Sequence, residues 1–330
     1  MIKIIKHQND IKNITLPFFA KEDYLKCKSD IYGWIADKKF ILSFTIFKKF
    51  IFTRLVFTTQ TIYRTIATIE EEKIFLNQAI KLIEKEKLCD VIFKPQPSAV
   101  FQTYPSECDI FRWGSYAIDI TSNRDEMIQK MKPSQRTYTR KAIKLGAKVE
   151  EASIEEFFSL ANETLKRQKI ELLLSKDEIE LEYKRLYPKY LKLFKVSFEG
   201  KIHGVLFVFF DNKNAFAKYA GSIPRPLKGS LKLLHLEAML YLAKKHNIQT
   251  YDFIGAIPNV KENTKEAGIQ RFKKEFGAYQ REGYQFSKII VPWKYHLFTI
   301  MLKTMFKLKG IKYLDPVEKY KNLSRTGLKI

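Results

Sequence analysis

Hydrophobic residues along the chain alternate between the spacing of strands and that of helices. Runs rich in β-branched and aromatic residues predict strands at 39–47, 50–57, 89–95, 116–120, 190–198, 202–210, 215–221 and 250–254. Apolar residues spaced three to four apart predict helices at 69–87, 153–169 and 176–186, and a long helix ending near His246. Strands separated by helices in both halves predict a mixed α/β fold built from two related domains.

The length of 330 residues is enough for two compact domains. We expect the first at residues 1–149, and a second at 150–288 that carries the main motifs. Residues 289–330 form a basic, aromatic tail with Trp293, Tyr295 and Phe298 among lysines. Such a tail either lies at a lipid surface or packs back on the fold as a helix, and we expect the packed helix.

The net charge says more about the class of partner than the rest of the composition does. The excess of 59 Lys and Arg over 36 Asp and Glu gives a net charge of +23. It indicates an anionic partner, such as nucleic acid, a phosphorylated substrate or anionic lipid, unless the source proteome is uniformly Lys-rich. Cys27, Cys89 and Cys108 are too far apart to suggest a disulfide framework or a zinc site, so no metal is expected. Neither a signal peptide nor a long uncharged apolar run is visible, so we expect a cytoplasmic protein.

The most regular charge pattern is a set of cations that recur every four residues. It consists of Lys132, Arg136, Arg140, Lys144 and Lys148. Pro133 or Ser134 suits the start of a helix and Gly146 its end, so Arg136, Arg140 and Lys144 should share one face. Like charges at this spacing repel each other, and the face is either simply solvated or binds phosphate.

A second candidate for anion binding is the loop that opens the long helix. Residues 220–234 read as a strand end, a loop and a helix start, where unpaired backbone N–H groups can point at an anion. Arg225, Lys228, Gly229 and Ser230 fit that role. The alternative is an ordinary connection between a strand and a helix.

The stretch from Tyr251 to Gly277 is the third candidate. It reads as a buried strand with a Gly turn, an open loop from 257 to 264, and a helix from about Lys265 to Phe276. The end of a strand is where α/β folds tend to build sites, and this helix brings Lys273 and Lys274 towards its C-terminal end. The alternative is an amphipathic helix with a solvated basic face.

Three segments in this order resemble the FemABX family of non-ribosomal peptidyltransferases, which add amino acids to peptidoglycan precursors. They are the basic helix at 131–149, Tyr219-Ala-Gly-Ser222 leading into residues 231–238, and Tyr251-Asp-Phe-Ile-Gly255 with residues 268–277. The resemblance spans about residues 131–277, whereas the first 120 residues match only in the general order of their elements. No long helical hairpin is visible, so the chain resembles the compact form of the family.

The resemblance implies two tandem GNAT-like (acyl-CoA N-acyltransferase-like) domains with mixed central sheets flanked by helices and a helical tail. It also implies transfer of an aminoacyl group from aminoacyl-tRNA, the co-substrate, to an amine of a peptidoglycan stem peptide. Phe272 and Lys273 would lie near the reacting carbonyl, where the Lys273 ammonium could stabilise a developing oxyanion. Tyr219, Tyr251 and Asp252 would line the substrate site.

Several points stay open from the sequence. Asp252 is either a general base or a residue that orients the turn, and proton loss to the tRNA ribose would need no protein base. The partners would be aminoacyl-tRNA and a nucleotide-linked or lipid-linked precursor, with peripheral contact at the inner membrane face. Two rival functions are an acyl-CoA-dependent N-acyltransferase and a non-catalytic RNA- or membrane-binding protein. Lys228 at the first Gly position of the acyl-CoA phosphate loop argues against the first rival.

Overall fold

A computed structural model describes residues 2–49, 51–168 and 174–308. Its contacts divide the chain into two compact units. Among the described residues, the first unit draws on Met1–Gly114, Ile257–Asn259 and Glu282–Ile330, and the second on Ser115–Ala256 and Val260–Arg281.

The described residues contain both kinds of regular element predicted from the sequence. The strands are β1 Lys3–Ile5, β2 Ile31–Ala36, β3 Phe40–Lys49, β4 Phe52–Phe57, β5 Ile62–Tyr63, β6 Val91–Phe93, β7 Asp109–Asp119, β8 Lys148–Glu151, β9 Leu191–Phe198, β10 Lys201–Phe210, β11 Asn214–Ser222, β12 Thr250–Asp252 and β13 Tyr279–Ile289. The helices are α1 Glu22–Lys28, α2 Ile69–Lys85, α3 Arg124–Lys130, α4 Pro133–Lys144, α5 Ile154–Arg167, α6 Lys176–Leu186, α7 Ser230–His246, α8 Lys265–Lys274 and α9 Pro292–Leu308.

The two units repeat one arrangement. In the first, β1, β2, β3 and β4 pair antiparallel, and α2 then leads to β6, which pairs parallel with β4. In the second, β8, β9, β10 and β11 pair antiparallel, and α7 leads to β12, which pairs parallel with β11. A parallel pair needs a crossover long enough to return to the same edge, and a helix supplies it in both units.

The strands β7 and β13 each begin in one unit and end in the other. Residues 117–119 of β7 pair with β12 in the second unit, and residues 288–289 of β13 pair with β6 in the first. Tyr116, Ile118, Met127 and Ile128 lie in the hydrophobic core of the second unit. The division after Gly114 therefore differs from the predicted boundary after residue 149, because residues 115–149 pack on the second core.

The predicted tail begins as a helix that packs on the first unit. In α9, Phe298 stacks on Phe52 of β4 with ring centroids 4.2 Å apart, and Lys294 Nζ donates to Asp90 Oδ1 at 3.0 Å. Residues 309–330 of the predicted tail lie outside the described residues. Among the described helices, none is both long and apolar enough to cross a bilayer.

Candidate functional site

The candidate site lies in the second unit, at the turn that follows β12, and α8 packs back against this turn. Ile254 and Gly255 follow β12 with φ of +49° and +68°, so the chain turns sharply there. The open loop predicted to follow is present, and Thr264 then caps α8 by accepting a hydrogen bond from the N–H of Ala267 at 3.2 Å. Gly277 ends the segment at φ +80°, close to the carbonyl of Lys130, where a side chain would clash.

Lys273 reaches back from α8 to this turn. Its Nζ donates to the carbonyl oxygens of Ile254 at 2.5 Å and Gly255 at 2.6 Å, and only 8% of the residue is exposed. An ammonium has three N–H donors, so these two bonds leave one for another acceptor. Burial lowers the pKa of Lys273 to about 8, although the nearby Asp252 opposes the shift. Lys273 is therefore a buried, fixed cation or a readily deprotonated amine, depending on pH.

A second buried lysine lies beside the first, and sequence reasoning missed it. Lys232 of α7 donates from Nζ to the carbonyl of Phe272 and lies 3.5 Å from a carboxylate oxygen of Glu275. Its Nζ also lies 3.8 Å from the ring centroid of Phe272 and 4.1 Å from that of Phe276. Burial lowers the pKa of Lys232 to about 8, with Glu275 opposing the shift.

His235 of α7 completes this buried group and was also missed. Its Nδ1 lies 2.8 Å from the hydroxyl of Tyr251. Burial, followed by the charges of Lys232 and Lys273, lowers the pKa of His235 to about 3, so the ring is neutral. The signal for both missed residues was a lysine and a histidine three positions apart on an otherwise apolar helix, in Ser230-Leu-Lys-Leu-Leu-His-Leu236.

Asp252 is held on both carboxylate oxygens. Its Oδ1 accepts from the N–H of Ile254 at 2.7 Å, and its Oδ2 accepts from Ser115 Oγ at 3.0 Å and Arg281 Nη1 at 3.2 Å. Burial nevertheless raises its pKa, against the effect of these partners. These contacts favour a role in orienting the turn over a role as general base, because both oxygens accept hydrogen bonds and the residue is buried.

The predicted aromatic site residues differ in their access. Tyr251 is fully buried and its pKa lies well above the ordinary value because of that burial, which argues against its predicted contact with a substrate. Phe272 is half-buried, with its ring 5.4 Å from that of His235. Tyr219 of β11 is also half-buried, and its ring packs on Phe207 at 5.7 Å. Phe272 belongs to the same buried cluster as Lys232 and His235.

The predicted basic helix is confirmed as α4, with Pro133 in its first turn and Gly146 just past its end at φ +89°. Its cations are not equivalent. Arg140 and Lys144 are exposed, whereas Arg136 is half-buried and engaged. Arg136 Nε donates to the carbonyl of Met131 at 2.6 Å, and Nη1 donates to Gln129 Oε1 at 2.9 Å. Arg136 thus fixes the end of α3 and offers less to a phosphate than the other two.

The loop before α7 packs against α4. Gly229 has φ +89°, and a Cβ there would lie 2.1 Å from the carbonyl oxygen of Tyr138. Ser230 is fully buried, while Arg225 and Lys228 are exposed, with Lys228 Nζ 5.6 Å from the ring centroid of Tyr138. The glycine serves a close approach of two helices, so the predicted approach of the backbone to an anion is not favoured at Gly229 and Ser230. Arg225 and Lys228 remain open to a ligand.

Across residues 2–49, 51–168 and 174–308, no three His, Cys, Asp or Glu side chains are grouped as metal ligands.

Comparison with known proteins finds a family model that matches part of the chain and solved structures with a similar fold. Residues 194–303 match the model of the FemAB family, and this segment includes β12, the turn and α8. No curated protein matches the chain significantly. A crystal structure of FemX is similar to the chain at 15% identity, covering 89% of this chain and 99% of that chain with a TM-score of 0.66.

Two further solved structures are similar at lower scores. A conserved protein of unknown function from Bacteroides thetaiotaomicron shares 11% identity, covering 84% of this chain and 99% of that chain with a TM-score of 0.50. A tandem GNAT protein from the clavulanic acid biosynthesis pathway shares 9% identity over 88% of this chain and 99% of that chain, with a TM-score of 0.47.

The likeness to FemX confirms the predicted fold class, a mixed α/β protein with two tandem GNAT-like units. The FemAB family model matches residues 194–303, which confirms the inferred resemblance over that segment and includes two of the three motif segments.

Proposed function

We propose that this protein is an aminoacyltransferase that moves an aminoacyl group from aminoacyl-tRNA to an amine of a peptidoglycan stem peptide. The observation that carries the proposal is the buried Lys273 ammonium, fixed at the end of β12 within the FemAB segment. A fixed cation in a site shielded from water stabilises a developing negative charge far more than a solvated one does. The net charge of +23 suits a nucleic acid as co-substrate.

In this mechanism the neutral amine of the acceptor attacks the ester carbonyl of the aminoacyl-tRNA. The C–N bond forms, the carbonyl π electrons move to oxygen, and the remaining N–H of Lys273 donates to the resulting oxyanion. When the C=O bond re-forms, the ester C–O bond breaks and the ribose oxygen leaves with the electron pair. The proton lost from the amine passes to that ribose oxygen, so no protein base is required. This route agrees with the full engagement of Asp252.

Phe272 and Lys232 support Lys273 in the proposal. Lys232 is held between the rings of Phe272 and Phe276, and it binds the carbonyl of Phe272 on the turn of α8 that carries Lys273. A second buried cation next to Lys273 adds to the positive potential at the site. Arg140 and Lys144 of α4 would contact phosphates of the tRNA or of the precursor, and so would Arg225 and Lys228.

The acyl-CoA alternative is less well supported. It requires the backbone before α7 to approach a pyrophosphate, but Gly229 faces the backbone of α4 and Ser230 is buried. We propose instead that the partners are aminoacyl-tRNA and a nucleotide-linked or lipid-linked precursor, and that the protein is cytoplasmic.

The test is transfer of a labelled amino acid from mixed charged tRNA to stem-peptide acceptors, followed by mass spectrometry. We expect Lys273→Ala to lower kcat by about a hundredfold to a thousandfold, the range for loss of one oxyanion donor. Lys274→Ala is the matched control, because Lys274 is the exposed neighbour on the same helix. Circular dichroism of both variants checks folding. Absence of transfer from every charged tRNA would contradict the proposal.

A further inference from the structure

The helix α9 presents two different apolar faces. One face packs on the first unit, where Phe298 stacks on Phe52, Tyr295 lies 6.2 Å from the same ring, and Thr299 is buried. The opposite face exposes five large apolar side chains, which are Trp293, Leu297, Ile300, Met301 and Leu308. At the helical period these five positions fall on a single stripe about 100° wide. The fold of the first unit therefore leaves a continuous apolar surface exposed along the helix.

Cations border this stripe. Lys303 and Lys307 are exposed on one side of it, and residues 292–308 contain no Asp or Glu. On the other side, Lys294 is paired with Asp90 and contributes less charge. The end of β3 exposes Lys48 and Lys49, and Ile51, directly before Phe52 beneath α9, is exposed as well. This end of the first unit combines exposed apolar side chains with exposed lysines.

We propose that the exposed face of α9 binds the surface of an anionic phospholipid bilayer. A helix with an apolar stripe, lysines along the edge and a Trp lies in the interface, with the apolar groups among the acyl chains and the cations on the headgroups. The helix has 17 residues, about 25 Å at 1.5 Å per residue, which suits lying flat on a surface. Charge complementarity favours this occupant over a second copy of the chain, because two copies of this face would bring like charges together. The proposal does not rest on the proposed transferase activity.

Trp293 is a built-in probe of this contact. The chain has three tryptophans, of which Trp34 and Trp113 are buried, while Trp293 is 62% exposed. The full-length protein is mixed with vesicles of phosphatidylcholine alone or of equal parts phosphatidylcholine and phosphatidylglycerol. We expect co-sedimentation and a blue shift of the Trp emission only with the second kind. Equal binding to both kinds, or binding to neither, would overturn the proposal.

Two variants and a control locate the contact. We expect Leu297→Glu to weaken vesicle binding at least about tenfold, since it puts a charge among the acyl chains. Replacing Lys303 and Lys307 by Ala should weaken it about fivefold for each lysine, and these exposed positions leave folding intact. Ile74→Glu on α2 is the control, because Ile74 is 57% exposed and Leu297 is 51% exposed. We expect the Ile74→Glu variant to bind vesicles as the unmodified protein does.

Other occupants of the face predict different results. If a second copy covers it, the protein elutes as a dimer that Leu297→Glu converts to a monomer. If residues of the same chain cover it, acrylamide quenches Trp293 no more than the two buried tryptophans before vesicles are added. If another protein is its partner, vesicle binding is the same for Leu297→Glu and Ile74→Glu. Each of these results would overturn the proposal.

Discussion

At the scale of single residues, the notable feature is two buried lysines beside one neutral histidine. Lys273 stood out from the sequence because it lies in a motif near the end of a helix. Lys232 and His235 did not, because hydrophobic spacing identifies a buried face without saying that a polar group on that face has partners. Their partners, Glu275 and Tyr251, lie 43 and 16 positions away along the chain. Only the folded chain brings them together.

The pKa of Lys273 predicts the alkaline limit of activity. Its oxyanion role needs the ammonium form, which is lost as the pH rises through the pKa of about 8. We expect kcat to fall above about pH 8 in the unmodified protein. Lys273→Arg, with a guanidinium that stays charged to beyond about pH 12, should lower the maximum rate but remove this fall. The measurement is the pH profile of kcat for both proteins. If kcat of Lys273→Arg still falls above about pH 8, the fall reflects the titration of another group.

The pKa of Lys232 predicts a dependence of stability on pH. The folded pKa of about 8 lies below the ordinary 10.5, so between these values the unfolded chain binds more protons than the folded one. The free energy of unfolding should therefore rise with pH across this window. Between about pH 7.5 and about pH 9.5, the free energy of unfolding of the unmodified protein should rise by on the order of 2 kcal/mol more than that of Lys232→Met. Urea unfolding at both pH values measures it, and parallel curves for the two proteins would contradict the assignment.

At the scale of elements, hydrophobic patterning located most helices and the longer strands. The predictions at 39–47, 69–87 and 202–210 correspond to β3, α2 and β10 within a few residues. The strands β1, β2, β5, β8 and β13 were missed, of which β1 and β5 have only three and two residues. In β13 the sequence Tyr-Gln-Arg-Glu-Gly-Tyr-Gln has few apolar residues, and its pairing with β6 joins segments far apart in the chain. The role of Gly229 was also hidden, because a tight contact between helices leaves no pattern in the sequence.

The contact between α4 and α7 predicts different costs for two glycines with the same backbone conformation. Gly229 and Gly146 both have φ +89°, but a Cβ at Gly146 meets no atom within 4 Å. We expect Gly146→Ala to destabilise the protein by about 1 kcal/mol, the cost of the left-handed conformation. Gly229→Ala should cost at least about 2 kcal/mol more, because its Cβ overlaps the backbone of Tyr138. Thermal or urea unfolding measures both, and equal losses would refute the close approach.

The exposed cations of α4 predict a salt-dependent effect on tRNA binding. Replacing Arg140 and Lys144 by Ala should weaken binding at every ionic strength. It should also reduce the slope of log K against log salt by about 1 for each phosphate that is no longer bound. The same change at Lys81 and Lys85, exposed at the same spacing on α2, is the matched control. Filter binding over a salt series gives the slopes. A slope that is unchanged in the α4 variant would mean that this face is only solvated.

At the scale of the whole molecule, the chain repeats one arrangement of strands and helix in two units. The mixed α/β class and the repeat could be predicted, because both halves show helices followed by strands in the same order. The division between the units could not, because β7 and β13 each begin in one unit and end in the other. A strand gives the same local pattern whichever sheet it joins, so the sequence placed the boundary after residue 149 rather than after Gly114.

The two proposals together predict a preference for how the acceptor is presented. If α9 holds the protein on an anionic bilayer, an acceptor anchored in that bilayer is met at a higher effective concentration than a soluble one. We expect Leu297→Glu to lower transfer to a lipid-linked precursor in phosphatidylglycerol vesicles at least about tenfold, through loss of surface binding. Transfer to a nucleotide-linked precursor in solution should be unchanged. Lys273→Ala should lower both, because it acts on the reacting carbonyl. Equal loss with both acceptors in Leu297→Glu would show that α9 affects the site itself rather than the membrane contact.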